Sequence, residues 1–557
     1  MVSTFARLTA GWTALAAVCA SAHAATPVRV LDAFDDASTW RVVTSNQVSG
    51  ALRSVEGVDG KAMCLDYDFN GVSGHAGIQR DLVLEYPQNY QFGFQLRGDS
   101  PRNDLQFKVI DASGDNVWWV NRPKYEFPTA WTPVRYKTRH IDKAWGPDPD
   151  RVLRKSVKLE YTIYNNVGGK GSVCFDQLTF QPLPVDDGAP LTGKASANVA
   201  FPAGAASLAV DGKPDTAWSA DLHGNQDPQL TLDLGKMREF GGLVLDWKAG
   251  QHASDYLVQL SDDGARWRDV RTVVDGNGGL DYLALPESEA RYVRIVIGDG
   301  PGNAFALAGL DVKPLAFAAH PNDVIKAMAA DAPKGWFPRG FSGEQPYWTI
   351  VGLDGGREQG LIGEDGAIEI AKGGISVEPF VQVDGRWVGW SDVQAAQSLQ
   401  DGYLPMPTVT WTHPLFSLST TAFAAGTPGD SRVVARHRLT NTGTTPRDYA
   451  IALAVQPWQV NPPSQFLNTT GGFSPIHALA LRDGVASVNG RDSLRFATPD
   501  AVLASRFDEG MVRERIEDSD ASKATTASVD GDATGLASGA VLYRFTSPAY
   551  DSVTNFQ

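Results

Sequence analysis

Ala209-Val-Asp-Gly-Lys-Pro-Asp-Thr-Ala-Trp218 opens the stretch that decides the fold, and Gln229-Leu-Thr-Leu-Asp-Leu-Gly235 and Gly242-Leu-Val-Leu-Asp-Trp247 continue it. Tyr256-Leu-Val-Gln-Leu-Ser-Asp-Asp-Gly-Ala-Arg-Trp267 and Ala290-Arg-Tyr-Val-Arg-Ile-Val296 complete the series. Leu230, Leu232 and Leu234 alternate with Thr231 and Asp233. Successive strand residues face opposite ways, so this run buries one face only. Asp262-Asp-Gly264 supplies a hairpin turn ahead of Trp267. Trp218, Trp247 and Trp267 sit within the periodic framework and are assigned to the core, where aromatic rings contribute the most buried area. One β-sandwich over residues 191–315 is the reading.

Outward from that block the chain stays rich in strands. Upstream, residues 28–184 contain Ala62-Met-Cys-Leu-Asp-Tyr-Asp-Phe69, Tyr90-Gln-Phe-Gly-Phe-Gln-Leu96 and Leu105-Gln-Phe-Lys-Val-Ile110, all with period two and separated by Gly, Asn, Asp and Pro clusters. A Pro-rich stretch, Pro182-Leu-Pro-Val-Asp-Asp-Gly-Ala-Pro190, leaves residues 185–190 as a linker. Downstream, residues 320–557 continue with Gly374-Ile-Ser-Val-Glu-Pro-Phe-Val-Gln-Val383 and Val433-Val-Ala-Arg-His-Arg-Leu-Thr-Asn-Thr-Gly443. Tyr449-Ala-Ile-Ala-Leu-Ala-Val-Gln-Pro-Trp458 follows, and Asn441-Thr-Gly443 reads as the turn between two long antiparallel strands. A chain of 557 residues exceeds one hydrophobic core, and its 56 Gly and 33 Pro favour short strands and turns. The fold class is all-β.

The first 24 residues read as an export signal, with Arg7 as the charged region, Leu8 to Val18 as the apolar stretch and Ala22-His23-Ala24 as the cleavage site. The apolar run is too short to span a bilayer, so no membrane insertion is expected. Cys19 is a poor lipid-attachment site, because Val18 precedes it. The formal charge is −15, or −16 once Arg7 is removed, and no basic cluster offsets it. Such a surface excludes nucleic acid as a partner. A secreted or periplasmic location follows from the signal. Cys64 and Cys174 then remain, each within a strand-like run, and are expected to pair as a disulfide.

The series from Ala209 to Val296 resembles the coagulation factor 5/8 type C, or discoidin, domain, which includes carbohydrate-binding module family 32. The first domain resembles the galactose-binding-like jelly rolls through Leu31-Asp-Ala-Phe-Asp-Asp36, Trp40 and Val173-Cys-Phe-Asp-Gln-Leu178. Residues 345–470 resemble the large β-sandwich of six-hairpin glycosidases through Leu439-Thr-Asn-Thr-Gly443 and Val455-Gln-Pro-Trp-Gln-Val-Asn-Pro-Pro463. These resemblances imply two jelly rolls followed by a large antiparallel β-sandwich. They also imply a helical catalytic toroid, which does not follow within this chain, so the third region is expected to be incomplete at its C-terminus.

The discoidin resemblance implies a ligand site in loops at one end of the sandwich, where Asp221, His223, Asn225, Gln226, His252, Asn277, Asn303 and Phe305 fall. Phe305 is the expected stacking residue, with a place in the core as its alternative. In the first domain, adjacent strand residues face opposite ways, so one of Trp118 and Trp119 should leave the core. The resemblances further imply structural calcium, at Asp211, Asp215 and Thr216 in the second domain and at Asp35 and Asp176 in the first. Hard oxygen ligands suit that ion. The closing strand of calcium-binding discoidin domains supplies a Glu, whereas Gly309 stands at that place here, with Asp311 two residues on.

Recognisable catalytic constellations are missing: there is no nucleophile elbow, no His-Glu-x-x-His, no Cys/His metal grouping and no P-loop. The nine histidines are scattered. Glycoside hydrolysis needs two facing carboxylates, for which Glu344, Glu358, Glu364 and Glu378 are available, but they read as solvated turn acids. No catalytic residue is assigned. The expected function is a non-catalytic, carbohydrate-binding region of an exported glycan-acting enzyme, with a polysaccharide or glycan as partner. The alternatives are a stand-alone glycan-binding or adhesion protein, and a lyase or hydrolase with its site in the third domain.

Overall fold

The computed structural model describes residues 28–556, apart from 186, 200–203, 222–226, 465–469, 518–523 and 550–551. The export signal read in residues 1–24 lies outside the described residues. The chain forms two compact units, Met1–Ala189 and Pro190–Gln557.

The first unit stacks two six-stranded sheets. One sheet runs Ser49–Glu56, Lys61–Asp68, Lys170–Pro182, Tyr90–Asp99 and Thr132–Lys137, and Arg29–Asp32 also pairs with Lys170–Pro182, joining the two ends of the unit. The other runs Asp142–Trp145, Val117–Arg122, Asp104–Ile110, Lys155–Tyr164, His75–Glu85 and Arg41–Thr44. Between them lies an aromatic core of Phe34, Trp40, Phe92, Phe94, Phe107, Tyr161 and Phe175, with the Tyr161 and Phe175 rings stacked at 4.2 Å. Cys64 and Cys174 face each other across the Lys61–Asp68 and Lys170–Pro182 ladder and are joined by a disulfide.

In the second unit the 191–315 block forms a seven-stranded antiparallel sheet. Its spine is the pairing of Gln229–Trp247 with Leu280–Asp299, strands of 19 and 20 residues. Register shifts between Asp233 and Arg238 and between Phe240 and Gly242 let both strands bend, so a single sheet supplies two walls of the core. Leu230, Leu232, Leu243, Leu245, Val293 and Ile295 fill that core, each at most 1% exposed.

The remainder builds sheets of eight, five and four strands. The eight-stranded sheet, with Ser376–Val383 beside Arg447–Gln456, faces the five-stranded sheet, whose members include Leu404–His413, Phe416–Thr427 and Asp430–Asn441. Val381, Trp411, Leu418, Leu439, Ile451 and Val455 share one core between them.

Here two expectations change. Asn441-Thr-Gly443 does not close a hairpin: Asp430–Asn441 and Arg447–Gln456 belong to different sheets, and the turn carries the chain across the sandwich. The fully buried Asn441 side chain holds that crossing, donating to the carbonyls of Thr445, Ser547 and Pro548 and accepting from the Gly443 amide. A helix, Pro321–Asp331, also stands where the sequence shows no strong period. Pro321 opens it, and His320 and Asp323 cap it reciprocally. It buries Val324, Ile325 and Met328 in a cluster with Tyr282, Phe317, Trp458 and Met511. That cluster joins the 191–315 block to the sandwich. Among the described residues, no helix is long and apolar enough to cross a membrane.

The disulfide closes a separation of 110 residues. Replacing both cysteines with alanine is expected to destabilise the first unit by roughly 4–5 kcal/mol, since an open chain of that length regains loop entropy when unfolded. Denaturant melts of the oxidised protein and the double variant measure this; coincident midpoints would refute it.

Candidate functional site

Alternation gives the second sheet of the first unit an outer face with its own chemistry. Leu105, Phe107, Val109, Leu159, Tyr161 and Ile163 point into the core. Their neighbours Gln106, Lys108, Glu160 and Thr162 therefore lie on the opposite face of the sheet, where they too are buried, at most 8% exposed. Register aligns one row across all six strands: Asp142, Trp119, Lys108, Glu160, Gln79 and Arg41. Lys108 Nζ donates to Glu160 Oε1 and Thr162 Oγ1, both at 3.0 Å. The Gln79 amide donates to Glu160 Oε2 at 2.6 Å. Lys108 and the hydrogen bonds it shares with Thr162 and Gln79 hold the Glu160 carboxyl below its usual range against the opposing effect of burial, which is the largest influence on it. The row is thus an ionised, internally bonded strip that keeps its side chains in fixed positions.

At one margin of the strip Trp119 and Trp145 meet edge to face, with ring centroids 5.6 Å apart. Trp118 is buried and donates to the Arg151 carbonyl, so Trp119 is the member of the pair that leaves the core. Trp145 is 49% exposed, and Lys108 lies 5.9 Å from its ring centre. Aromatic faces beside fixed donors and acceptors form a surface that can take a ring with one apolar and one polar side. The polar members escaped sequence reasoning, although Gln106 and Lys108 alternate visibly with apolar neighbours. Their common row depends on which distant strands pair, and that emerges only in the fold.

The acids of the third region are not all solvated. Glu358 is exposed. Glu344, Glu364 and Asp365 surround Arg339, whose guanidinium bonds Asp365 at 2.7 Å and Glu344 at 2.8 Å and stacks 4.3 Å from the Trp390 ring centre. Glu378, expected in a turn, lies in the strand Ser376–Val383 and is 9% exposed. It accepts from Trp458 Nε1 at 2.9 Å, and burial raises its pKa to about 7. Alternation gives Val377, Val381 and Val383 to the sandwich core and puts Glu378 beside Phe380 on the opposite face, which is buried as well and so explains the correction.

At the loop end of the 191–315 block the expected residues separate. His223, Asn225 and Gln226 lie outside the described residues. Asp221 and His252 are half-buried and Asn303 is exposed. The His252 ring packs on Gly278, where a Cβ would come within 2.5 Å of it. Phe305 is 1% exposed and belongs to the core. It opens the strand Ala304–Lys313 opposite Ala220, and its ring fills the space beside Gly300, so it is no stacking platform. Trp218 and Trp247 are buried as expected, but Trp267 is not. Trp267 lies half-buried on the surface beneath Arg294, whose guanidinium carbon is 3.4 Å from its ring centre.

This strand order and core coincide with a family model: F5/8 type C domain matches residues 192–309. Residues 192–309 are an F5/8 type C domain. A 106-residue stretch is 35% identical to the polysaccharide lyase 8 family protein HylA of Enterococcus faecalis, spanning 18% of this chain and 7% of that protein. Chitosan-binding module 1 of a chitosanase/glucanase from Paenibacillus sp. IK-5 is 27% identical, over 22% of this chain and 95% of the module, with a TM-score of 0.21. The family 11 carbohydrate-binding module of a cellulosomal cellulase from Clostridium thermocellum is 15% identical, over 29% of this chain and 99% of that module, with a TM-score of 0.25.

Part of the loop end of the F5/8 type C domain is occupied by the sandwich that follows it. Arg271 Nη2 bonds both oxygens of Asp508 at 2.7 Å, and both side chains are about 15% exposed. The Asn277 amide donates to the Asp508 carbonyl at 3.1 Å, and its side chain to Glu514 at 3.2 Å. Asn277 is therefore spent on this contact.

The expected calcium ligands divide. In the F5/8 type C domain the Asp211 carboxylate accepts from the Lys213 amide and the Thr216 hydroxyl, and Asp311 pairs with Lys313, so the loop satisfies its own oxygens. Asp215 adds no bond to that loop. In the first unit Asp35 and Asp176 do meet around the turn from Gly57 to Lys61. Asp176 accepts from the Val58 and Gln177 amides, and Asp35 from the Lys61 amide. Burial and the neighbouring Asp35 charge raise the Asp176 pKa. Among the described residues no group of three or more His, Cys, Asp or Glu side chains is arranged to hold a metal.

Two measurements check these placements. Phe305→Ala is expected to cost roughly 3–5 kcal/mol, the range for truncating a buried ring; an unchanged denaturant melt would return the ring to the surface. Glu378 holds its proton more tightly folded than unfolded, so its contribution is greatest below pH 4.5 and is lost as pH rises to about 7. Stability of the second unit should fall by roughly 3 kcal/mol across that window, and Glu378→Gln should flatten the fall. Parallel pH profiles in wild type and variant would contradict this.

Proposed function

We propose that this chain is the glycan-binding region of an exported, glycan-acting protein, and that the outer face of the second sheet of the first unit is its principal contact surface. The Trp119–Trp145 pair beside the bonded Gln79–Lys108–Glu160–Thr162 strip carries this reading. Indole rings take the C–H side of a sugar, while Gln79, Arg41 and Asp142, the accessible polar members of the row, meet its hydroxyls and the buried Lys108–Glu160–Thr162 bonds hold that row in place. The F5/8 type C domain and the likeness to a protein named as a polysaccharide lyase support the setting. The signal in residues 1–24 supports export, and the Cys64–Cys174 bridge suits an oxidising compartment.

Asp221, His252 and Asn303 at the open part of the F5/8 type C loop end offer a second, smaller contact. Two binding surfaces on one chain raise the effective concentration of a polymer that spans them. A hard cation such as calcium between Asp35 and Asp176 has a structural role in this reading, because it offsets two like charges across a tight turn. Asp211, Asp215 and Thr216 are left out of that role.

The test is retention of the full chain on soluble polysaccharides in affinity gels. Trp145→Ala and Trp119→Ala should each weaken retention by about tenfold or more, the range for losing an aromatic platform, with unchanged melting. Retention that survives the double variant would move the site elsewhere, and failure to bind any glycan on a broad array would overturn the reading.

A further inference from the structure

Where the F5/8 type C domain meets the sandwich, the second unit forms an open cavity of about 250 Å³. Leu280, Asp281, Tyr282 and the turn from Asn277 to Gly279 form one wall; Met328 and Asp331 from the helix, Trp336, Phe507, Met511 and Glu514 form the others. Its polar groups share one feature. Each of three carboxylates has one oxygen anchored and the other without a hydrogen-bond partner among the described residues. Asp281 Oδ2 accepts from Trp247 Nε1 and the Tyr256 hydroxyl at 2.8 and 2.6 Å. Asp331 Oδ2 accepts from the Tyr282 hydroxyl at 2.6 Å. Glu514 Oε2 accepts from the Met511 amide and from Asn277.

Asp331 is exposed, and burial pushes the Asp281 and Glu514 carboxyls up from their usual range; the anchored oxygens do not explain why an acid stands at each place where an amide would accept the same bonds. A fourth acid, Asp508, is neutralised by Arg271. Arg513 lies over Trp336, 5.5 Å from its ring centre, and pairs with Glu517 outside the cavity. The lining therefore keeps an excess of acids over bases, with three carboxylate oxygens free to accept, beside the rings of Trp336 and Phe507. A lone metal ion does not fit that description, because the space is far larger than an ion and its walls are aromatic and apolar. A neutral sugar satisfies the acceptors but leaves the charge unmatched. A pyranose ring bearing a protonated amine satisfies both.

We propose that this cavity is a composite site for an amino sugar with a free amine, held through the unpaired oxygens of Asp281, Asp331 and Glu514 and stacked against Trp336 or Phe507. The site exists only where the two modules meet, and it does not depend on the sheet face of the first unit. The closing experiment uses the full chain with D-glucosamine, D-glucose and N-acetyl-D-glucosamine as probes, followed by saturation-transfer NMR. Glucosamine should bind about tenfold more tightly than glucose or its N-acetyl form, the gain of one charge-assisted bond. Asp331→Asn keeps an acceptor for Tyr282, and should abolish that preference with unchanged melting; Glu514→Gln should do the same. Equal binding of all three sugars, or none of glucosamine, overturns the proposal. So does a glucosamine signal that persists in both carboxylate variants and vanishes in Trp119→Ala/Trp145→Ala, which would assign it to the first unit.

Discussion

Only alternate residues of a strand can enter a core, and this constraint organises both halves of the chain. In the strand Asp104–Ile110, inward Leu105, Phe107 and Val109 leave Gln106 and Lys108 to the opposite face, where they form a buried polar layer. The same rule puts Glu378 on the face opposite Val377 and Val381, and because that face is covered too its neighbourhood supplies Trp458 as a donor. Core and surface are thus not separate regions of sequence. They are interleaved residue by residue, and the chemistry of the outer set is fixed by the packing of the inner one.

The long pairing of Gln229–Trp247 with Leu280–Asp299 extends this logic across a domain boundary. Along one half its inward residues close the F5/8 type C core. Near the end, Val244 and Tyr282 point the other way and meet Phe317, Met328 and Trp458. A buried ion pair and apolar cluster at one seam hold the two modules in a fixed relation, since breaking either partner of such a pair costs several kcal/mol.

Much of this was legible in sequence. Leu230, Leu232 and Leu234 announced their strand, Trp218 and Trp247 their core, and Cys64 and Cys174 stand opposite each other in one ladder. Less legible were features set by partners distant in sequence. The discoidin resemblance puts Phe305 in a loop, yet its strand begins one residue earlier and Gly300 makes room for its ring. Trp267 shared the spacing of core tryptophans, but Arg294 two strands away supplies a surface partner. The strip from Trp119 to Arg41 draws on six strands, and no local window contains more than one of them.

The seam has a consequence for how such modules are handled and exchanged. A fragment cut after residue 315 would carry Tyr282 and Val244 into water and leave Arg271 without its carboxylate. Exposed apolar patches of that kind promote self-association, so an excised F5/8 type C domain would tend to aggregate where the joined pair stays dispersed. Recombination in evolution faces the same barrier. Swapping this domain with its seam intact into another protein requires a recipient that offers a matching acid and apolar face.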